Sequence, residues 1–335
     1  MPDTSKPVLI TGGLGFIGGH LASRLLQQGH QVTLFDRRIH GEQPWHDKLL
    51  NHPNCQCVVS DLADIDCLSH ALVDKAIVFH LAANANSRQS LCDRNIDLHH
   101  GIQATWNLLN AMTEQGVKQI VYASSQLVYG EPIIPTLTES MGPLLPLSLY
   151  GASKLAGEGI ISAHSHLHNI HSTILRFGNI VGPHMSYGIV LDFVTKLQQN
   201  PLTLEILGDG KQQRNYLHVD DCVKAILTAS ARDTEPLCDV FNVGNHDCIS
   251  ALDVADIVVS ELSALSALNS KSAQYQFTGG KRGWQGDVPN LRCDLSKIHA
   301  LGWTAQRNSS EAVADAARQT CISQVKTMST LTSVS

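Results

Sequence analysis

The sequence predicts an α/β fold, a doubly wound parallel sheet with helices on both faces and a smaller C-terminal lobe. Three features predict it. Short apolar runs alternate with amphipathic segments through the first half, the pattern of a parallel sheet buried on both sides. A glycine-rich turn joins the first apolar run to the first amphipathic segment. After Phe177 the alternation loosens, and Gly and Pro punctuate Gly178 to Gly188.

In order along the chain, Pro7 to Thr11 reads as a buried strand, followed by the glycine turn and a helix through Gln28 that Gly29 ends. Gln31 to Phe35, Cys57 to Ser60 and Ile77 to Leu81 read as further strands, with a helix over Ala63 to Val73. Gly101 to Gln115 is a long helix, Gln119 to Ala123 a strand, Tyr150 to His168 a helix and Thr173 to Phe177 a strand. Beyond it, Leu204 to Leu207 and Val240 to Val243 are strand-like, and Asp220 to Ala231, Ala251 to Leu262 and Ser309 to Ile322 helical. The last dozen residues, rich in Ser and Thr, read as a frayed tail. The expected division is 1–178, a dinucleotide-binding domain, then 179–324, mainly a substrate lobe with some segments returning to the first domain, then a flexible 325–335.

The chain has 335 residues, 43% hydrophobic and 16% charged, enough for one large α/β domain with a smaller lobe. A net charge of -6 without a block of like charge speaks against a nucleic-acid surface. Met1 to Lys6 is short and polar, and Val8 to Ile10 runs straight into glycines. That is neither a signal peptide nor a membrane span, so the expectation is a cytoplasmic protein. The nine cysteines lack paired CxxC spacing and read as buried, reduced thiols. His164, His166, His168 and His171 follow one another at spacings of two and three, which do not fall on one helical face, and no HExxH occurs. No metal is expected.

The turn itself is Thr11-Gly12-Gly13-Leu14-Gly15-Phe16-Ile17-Gly18. Gly12 permits the tight turn, Gly15 lets backbone approach a pyrophosphate, and Gly18 lets helix and strand pack closely. The helix N-terminus then faces phosphate charge. Asp36 closes the second strand, where a carboxylate accepts from both ribose hydroxyls and repels a 2′-phosphate. This favours NAD over NADP, although Arg37 and Arg38 beside it leave a route to the extra phosphate.

With this loop go Asp61-Leu62, Phe79-His80-Leu81-Ala82-Ala83, Ser124-Ser125-Gln126-Leu127-Val128-Tyr129-Gly130 and Tyr150-Gly-Ala-Ser-Lys154. Further on come Leu175-Arg-Phe-Gly-Asn-Ile-Val-Gly-Pro183, the run from Leu207 through Arg214 to Asp221, Phe241-Asn-Val-Gly244 and Gly286-Asp-Val-Pro289. The ordered set resembles the extended short-chain dehydrogenase/reductases of the NAD-dependent epimerase/dehydratase type that act on nucleotide sugars, nearest to the UDP-hexose 4-epimerases. The resemblance runs from about Val8 to Ala317 and implies a Rossmann-type domain followed by a nucleotide-sugar lobe. It implies that Gly12, Gly15, Phe16, Ile17 and Asp36 hold the dinucleotide, that Asp61 and Leu62 contact adenine, and that Leu81, Ala82 and Ala83 line the nicotinamide ribose. Asn95, Ser124 and Phe177 belong to the same implied cofactor set. A homodimer through the two long helices, Gly101 to Gln115 and Tyr150 to His168, is likewise implied.

Tyr150 and Lys154 are four apart on a helix and project from one face. A phenol of pKa ~10 is a poor base; an ammonium one turn away and a positive nicotinamide bring it into range. Ser125 shares the sugar oxygen and relays the proton. The implied chemistry is proton removal by Tyr150 while hydride leaves the same carbon. A transient 4-keto sugar turns over, and hydride returns to its other face. In the 4,6-dehydratases that this sequence resembles, an Asp-Glu pair precedes Val-Tyr-Gly, and in the decarboxylases a Glu does. Gln126 and Leu127 stand there in this chain, and leucine abstracts no proton. The substrate-binding set implied is Ser125, Gln126, Asn179, Arg214, Arg282 and Asp287, with Arg214 clamping the diphosphate. Leu291 matches a gate position for N-acetyl groups, whereas Asp209 and Lys211 read as turn residues. Arg88 and the Ser87/Ser90 pair read as solvated loop residues rather than a cluster recognising C6. A UDP-hexose 4-epimerase is the leading reading. A hexuronate epimerase, dehydratase, decarboxylase, 4-keto reductase or non-catalytic NAD-binding regulator stand as alternatives.

Overall fold

The computed structural model describes residues 7–37, 44–131, 134, 136–232, 235–265 and 273–332. Arg38 lies outside them. The main sheet begins with β1 (Val8–Thr11), then α1 (Phe16–Gln27), β2 (Val32–Asp36), a short α2 (Pro44–Leu50), β3 (Cys55–Val59), α3 (Ile65–Leu72) and β4 (Ile77–His80). A π-helical turn at Leu98–Gln103 leads into α4 (Ala104–Gln115), then β5 (Gln119–Ser125), α5 (Leu149–His168) and β6 (His171–Phe177). The order β3-β2-β1-β4-β5-β6 is parallel throughout and reverses direction between β1 and β4. Such a reversal opens a crevice at the strands' carboxyl ends.

Side chains alternate across this sheet with the period of a strand. Val8, Ile10, Val32, Leu34, Ile77 and Phe79 pack on one face with Leu21 and Leu25 of α1. Leu9, Phe35, Val78, Ile120 and Tyr122 pack on the other with Leu68, Leu108, Leu109 and Ile161 of the facing helices. Both faces are thus covered, as the alternation predicted.

After Phe177 the chain builds β7 (Asn179–Val181), α6 (Ile189–Gln199), β8 (Thr203–Ile206), β9 (Gln213–Arg214), β10 (Tyr216–His218) and α7 (Val219–Ser230). It continues through β11 (Cys238–Val243), β12 (Ile249–Ser250), α8 (Ala251–Ala264), β13 (Gln274–Phe277), α9 (Ser296–His299) and α10 (Ser309–Thr332). Helix α6 was not expected in this loosened stretch, yet its buried Val190, Phe193, Val194 and Leu197 keep helical spacing. The lobe core joins them to Val254 and Val258 of α8 and to Val313 and Ala316 of α10. The returning segments are β11, a seventh parallel strand beside β6, and α7, whose Val223 and Ile226 share the core of α1. Helix α10 extends to Thr332, so the stretch expected to fray is helical as far as that residue. His164 and His168, four apart on α5, do share a face: their rings are 5.1 Å apart, and His164 meets Trp106 edge-on.

His80, ending β4, ties the sheet to α4: Thr11 Oγ1 lies 2.7 Å from Nδ1 and Thr105 Oγ1 3.0 Å from Nε2. Burial, reinforced by the Lys154 charge, holds the imidazole down to about 3, so it stays neutral. Changing His80 to Ala removes one hydrogen-bond partner from each of two buried hydroxyls and opens a cavity, an expected loss of about 2–4 kcal/mol in urea unfolding. A loss below ~0.5 kcal/mol would mean that these bonds contribute nothing.

Candidate active site

A cleft of about 870 Å³ lies between the carboxyl end of the sheet and the lobe. Its floor is the glycine turn. Gly12 has φ +69, and a Cβ there would sit 2.8 Å from the Ala82 nitrogen, while a Cβ on Gly18 would sit 2.1 Å from the Gly12 oxygen. A side chain at either place would fill the turn. Gly15, Phe16 and Ile17 line the same wall. Asp36 lines the cleft at the end of β2 and accepts from the Leu14 N–H at 3.0 Å. Arg37 is turned toward Asp61 (3.9 Å) and the His100 ring (2.8 Å). The residues thus fit a dinucleotide: a bare backbone cradle at a helix N-terminus and a carboxylate at the ribose position.

Asp61 and Leu62 follow β3, Leu81, Ala82 and Ala83 follow β4, Ser124 is the next-to-last residue of β5 and Phe177 ends β6, and all of them line the cleft. Asn95 does not. It is exposed, and its backbone N–H is taken by Asp93. The buried polar residue of that stretch is Asp97, whose Oδ1 accepts from Asn84 at 3.0 Å while Oδ2 has no partner. The apolar flanks Ile96 and Leu98 were the only sequence sign of it. Asn84 and Tyr216, both on the cleft wall, were also missed.

Ser125, Tyr150 and Lys154 line the cleft together. Ser148 caps α5 by accepting from Gly151 N at 3.1 Å, which sets Tyr150 and Lys154 on the first turns, facing the cleft. Lys154 is buried and donates to the Ala123 carbonyl at 2.6 Å, with its ammonium 5.8 Å from the Tyr150 ring centre. Burial lowers its pKa to about 8 against the opposing charges of Asp97 and Glu158. Tyr150 is pushed up to about 12, by burial first and by Asp97 second, while a hydrogen bond with Ser125 works the other way. With burial holding the phenol high, the Lys154 ammonium and the positive nicotinamide expected beside it are both needed to bring it into range.

Beneath the trio lies a buried ion pair. Arg176 of β6 grips Glu158 of α5 through two bonds, Nε to Oε1 at 2.9 Å and a terminal nitrogen to Oε2 at 2.7 Å. Ser124 donates to the same carboxylate at 2.5 Å. The guanidinium also stacks 4.8 Å from the Tyr129 ring centre.

At the nucleotide-sugar end, Ser125, Gln126, Asn179, Arg214 and Asp287 line the cleft. Arg214 is paired with Asp287 at 2.5 Å. Gln126 is buried, donates to the Val243 carbonyl at 3.4 Å and accepts from Asn215 at 3.0 Å; it staples the ends of β5 and β11. Arg282 is not brought to the cleft lining: it bonds Glu131 at 2.5 Å and the Asp287 carbonyl. Leu291 is on the wall, as a gate residue would be. Asp209 accepts from the Lys211 N–H at 3.0 Å, a turn contact. Arg88, expected in solvent, lines the cleft.

Comparison with known proteins agrees with this geometry. The NAD dependent epimerase/dehydratase family matches residues 8–244. A putative UDP-glucose 4-epimerase of Methanocaldococcus jannaschii is 31% identical over 314 residues, covering 91% of this chain and 95% of its own. A crystal structure of a UDP-galactose 4-epimerase is 32% identical with a TM-score of 0.80, covering 93% of this chain and 98% of its own. The UDP-glucuronic acid 4-epimerase of Bacillus cereus, in complex with UDP-glucuronic acid and NAD, is 27% identical with a TM-score of 0.83, covering 94% and 98%. The family model over residues 8–244 and relatives above 30% identity that span nearly the whole chain show it: the chain belongs to the NAD-dependent epimerase/dehydratase family.

Proposed function

We propose that this protein epimerises C4 of a UDP-hexose through a transient 4-keto sugar, with Tyr150 as base, Ser125 as its hydrogen-bonding relay and Lys154 as the adjacent cation. The observation that carries the reading is the convergence of these three side chains at the strand ends that border the dinucleotide cradle. NAD held there supplies the acceptor that takes a hydride from C4 and gives it back, and its oxidised ring adds positive charge beside the phenol. The chain's own part is proton handling. Tyr150 takes the hydroxyl proton from O4 and later returns it, and Ser125 holds the same oxygen. Lys154, anchored on Ala123 O, keeps a positive charge near the phenolate.

Elimination chemistry is disfavoured by what stands next to Ser125. Gln126 has its amide engaged by Val243 and Asn215, and Leu127 has no group that takes a proton. The reading extends to a cytoplasmic homodimer through α4 and α5, supported by Trp106 (50% exposed) and Leu167 (76% exposed) on those helices. Among the described residues no helix is long and apolar enough to cross a membrane.

The test is incubation of the purified protein, without added cofactor, with UDP-glucose, UDP-N-acetylglucosamine and UDP-glucuronate separately, followed by proton NMR. A 4-epimer from any of them, with no net redox change, is the expected result. A 6-deoxy-4-keto or decarboxylated product would replace this reading with an elimination.

A further inference from the structure

The cations of the cleft are already spoken for, with one exception. Arg214 faces Asp287 at 2.5 Å, and Arg37 faces Asp61 and His100. Arg88 lines the same cleft, yet its guanidinium has no carboxylate partner among the described residues, and its buried Nε has no hydrogen-bond partner at all. A buried guanidinium N–H without an acceptor is costly, and it marks a place where an acceptor belongs. Asp93 and Asp192, two further carboxylates of the cleft lining, are engaged elsewhere. Asp93 takes the Asn95 N–H, and Asp192 pairs with Lys196.

The loop bearing Arg88 is built to hold it still. Asn84 accepts from the Asn86 N–H at 3.0 Å and donates to the Asn86 carbonyl at 2.9 Å and to Asp97 at 3.0 Å. Asn86 in turn accepts from the Arg88 N–H at 3.0 Å. Ser90, two residues on, is buried and bonds the Ser87 carbonyl at 3.4 Å. A backbone stapled in this way presents a side chain in one place. The loop follows directly on Leu81 to Ala83 at the end of β4, and lines the same cleft as Tyr150 and Ser125. Arg214 stands on the lobe, on β9. The unsatisfied cation therefore belongs to the sheet side of the cleft, whereas the arginine placed for the diphosphate stands on the lobe.

We propose that Arg88 recognises a carboxylate on the sugar, so that the preferred substrate is a nucleotide-linked hexuronate rather than the neutral hexose. A planar guanidinium with free N–H groups matches a carboxylate by two parallel bonds; a C6 hydroxymethyl offers no charge to meet it. The proposal rests on the 4-epimerase reading for its chemistry and on Arg88 for its specificity, and the two fail separately.

The experiment compares wild type, Arg88→Met and Arg88→Lys with UDP-glucuronate and UDP-glucose. It measures both turnover by NMR and binding of each nucleotide sugar by calorimetry, on protein loaded with NAD. Circular dichroism checks that each variant is folded. In wild type the hexuronate is expected to bind more tightly and to have the higher kcat/KM. In Arg88→Met the ratio of UDP-glucuronate to UDP-glucose, in affinity and in kcat/KM, should fall about 10–100-fold. Arg88→Lys should keep part of the preference. An unchanged ratio, whether because both sugars weaken together or because neither does, overturns the proposal: the first outcome would place Arg88 on the shared diphosphate. Absence of epimerisation with an intact Arg88-dependent binding ratio would sink the 4-epimerase reading and leave the carboxylate site standing.

Discussion

Tyr150→Phe is expected to lower kcat by about 10²–10⁴-fold, or roughly 3–5 kcal/mol of transition-state stabilisation, while the dinucleotide stays bound. In the proposed reaction the phenolic oxygen takes the O4 proton. Ser125 is a hydroxyl without a base of its own, and its Oγ already accepts from the Leu127 N–H at 3.2 Å. Lys154 is committed to Ala123 O. The phenyl ring of the variant fills the same space, so binding should change little. NAD content by absorbance after denaturation and turnover by NMR would be measured side by side. Full activity in the variant would remove Tyr150 from the mechanism, and loss of cofactor together with activity would make the residue a cofactor ligand first.

The second large effect concerns stability. Arg176→Leu should cost about 3–5 kcal/mol, because it strands the Glu158 carboxylate in a dry site. The pair is 5% and 7% exposed at the side chains, too buried for water to replace the lost partner. The double change Glu158→Gln with Arg176→Leu should recover part of that loss, since the uncompensated charge is gone. Urea unfolding of the two singles and the double would decide it. Simple additivity would show that the pair does not act as a unit. The single Arg176 variant should also lose activity beyond its loss of stability, because the same carboxylate receives Ser124 and its charge favours the protonated Lys154.

Much of the cofactor half was legible in the sequence because its determinants are local. Gly12 and Gly18 sit in one turn, Asp36 follows one helix later, and Tyr150 and Lys154 meet because four residues make one helical turn. Several strand ends supply a residue of the cleft lining directly: Asp36 on β2, Ser125 on β5 and Phe177 on β6. Such relations survive in a one-dimensional reading because strand, turn and helix each span a few residues. The lobe was less legible: β7, β9, β12 and β13 run two to four residues, too short for a period to show.

The sequence by itself determined the parallel sheet, the glycine turn that opens the cleft, the pairing of Tyr150 and Lys154 on one helical face, and the identity of Gln126 and Leu127 beside Ser125. Only the tertiary structure decided which charges are free to act. Arg282 meets Glu131 across 151 positions of chain and so is drawn away from the cleft lining, and Asp97 rather than Asn95 is the residue enclosed behind Lys154. Lys154 donates a hydrogen bond to a carbonyl 31 residues earlier, and burial, with Asp97 nearby, holds the Tyr150 phenol high. Arg88 comes to the cleft wall without an anion to pair with. The reason is physical: a side chain's charge matters through what lies within a few ångströms in a low dielectric, and those neighbours are chosen by the fold rather than by the chain's order.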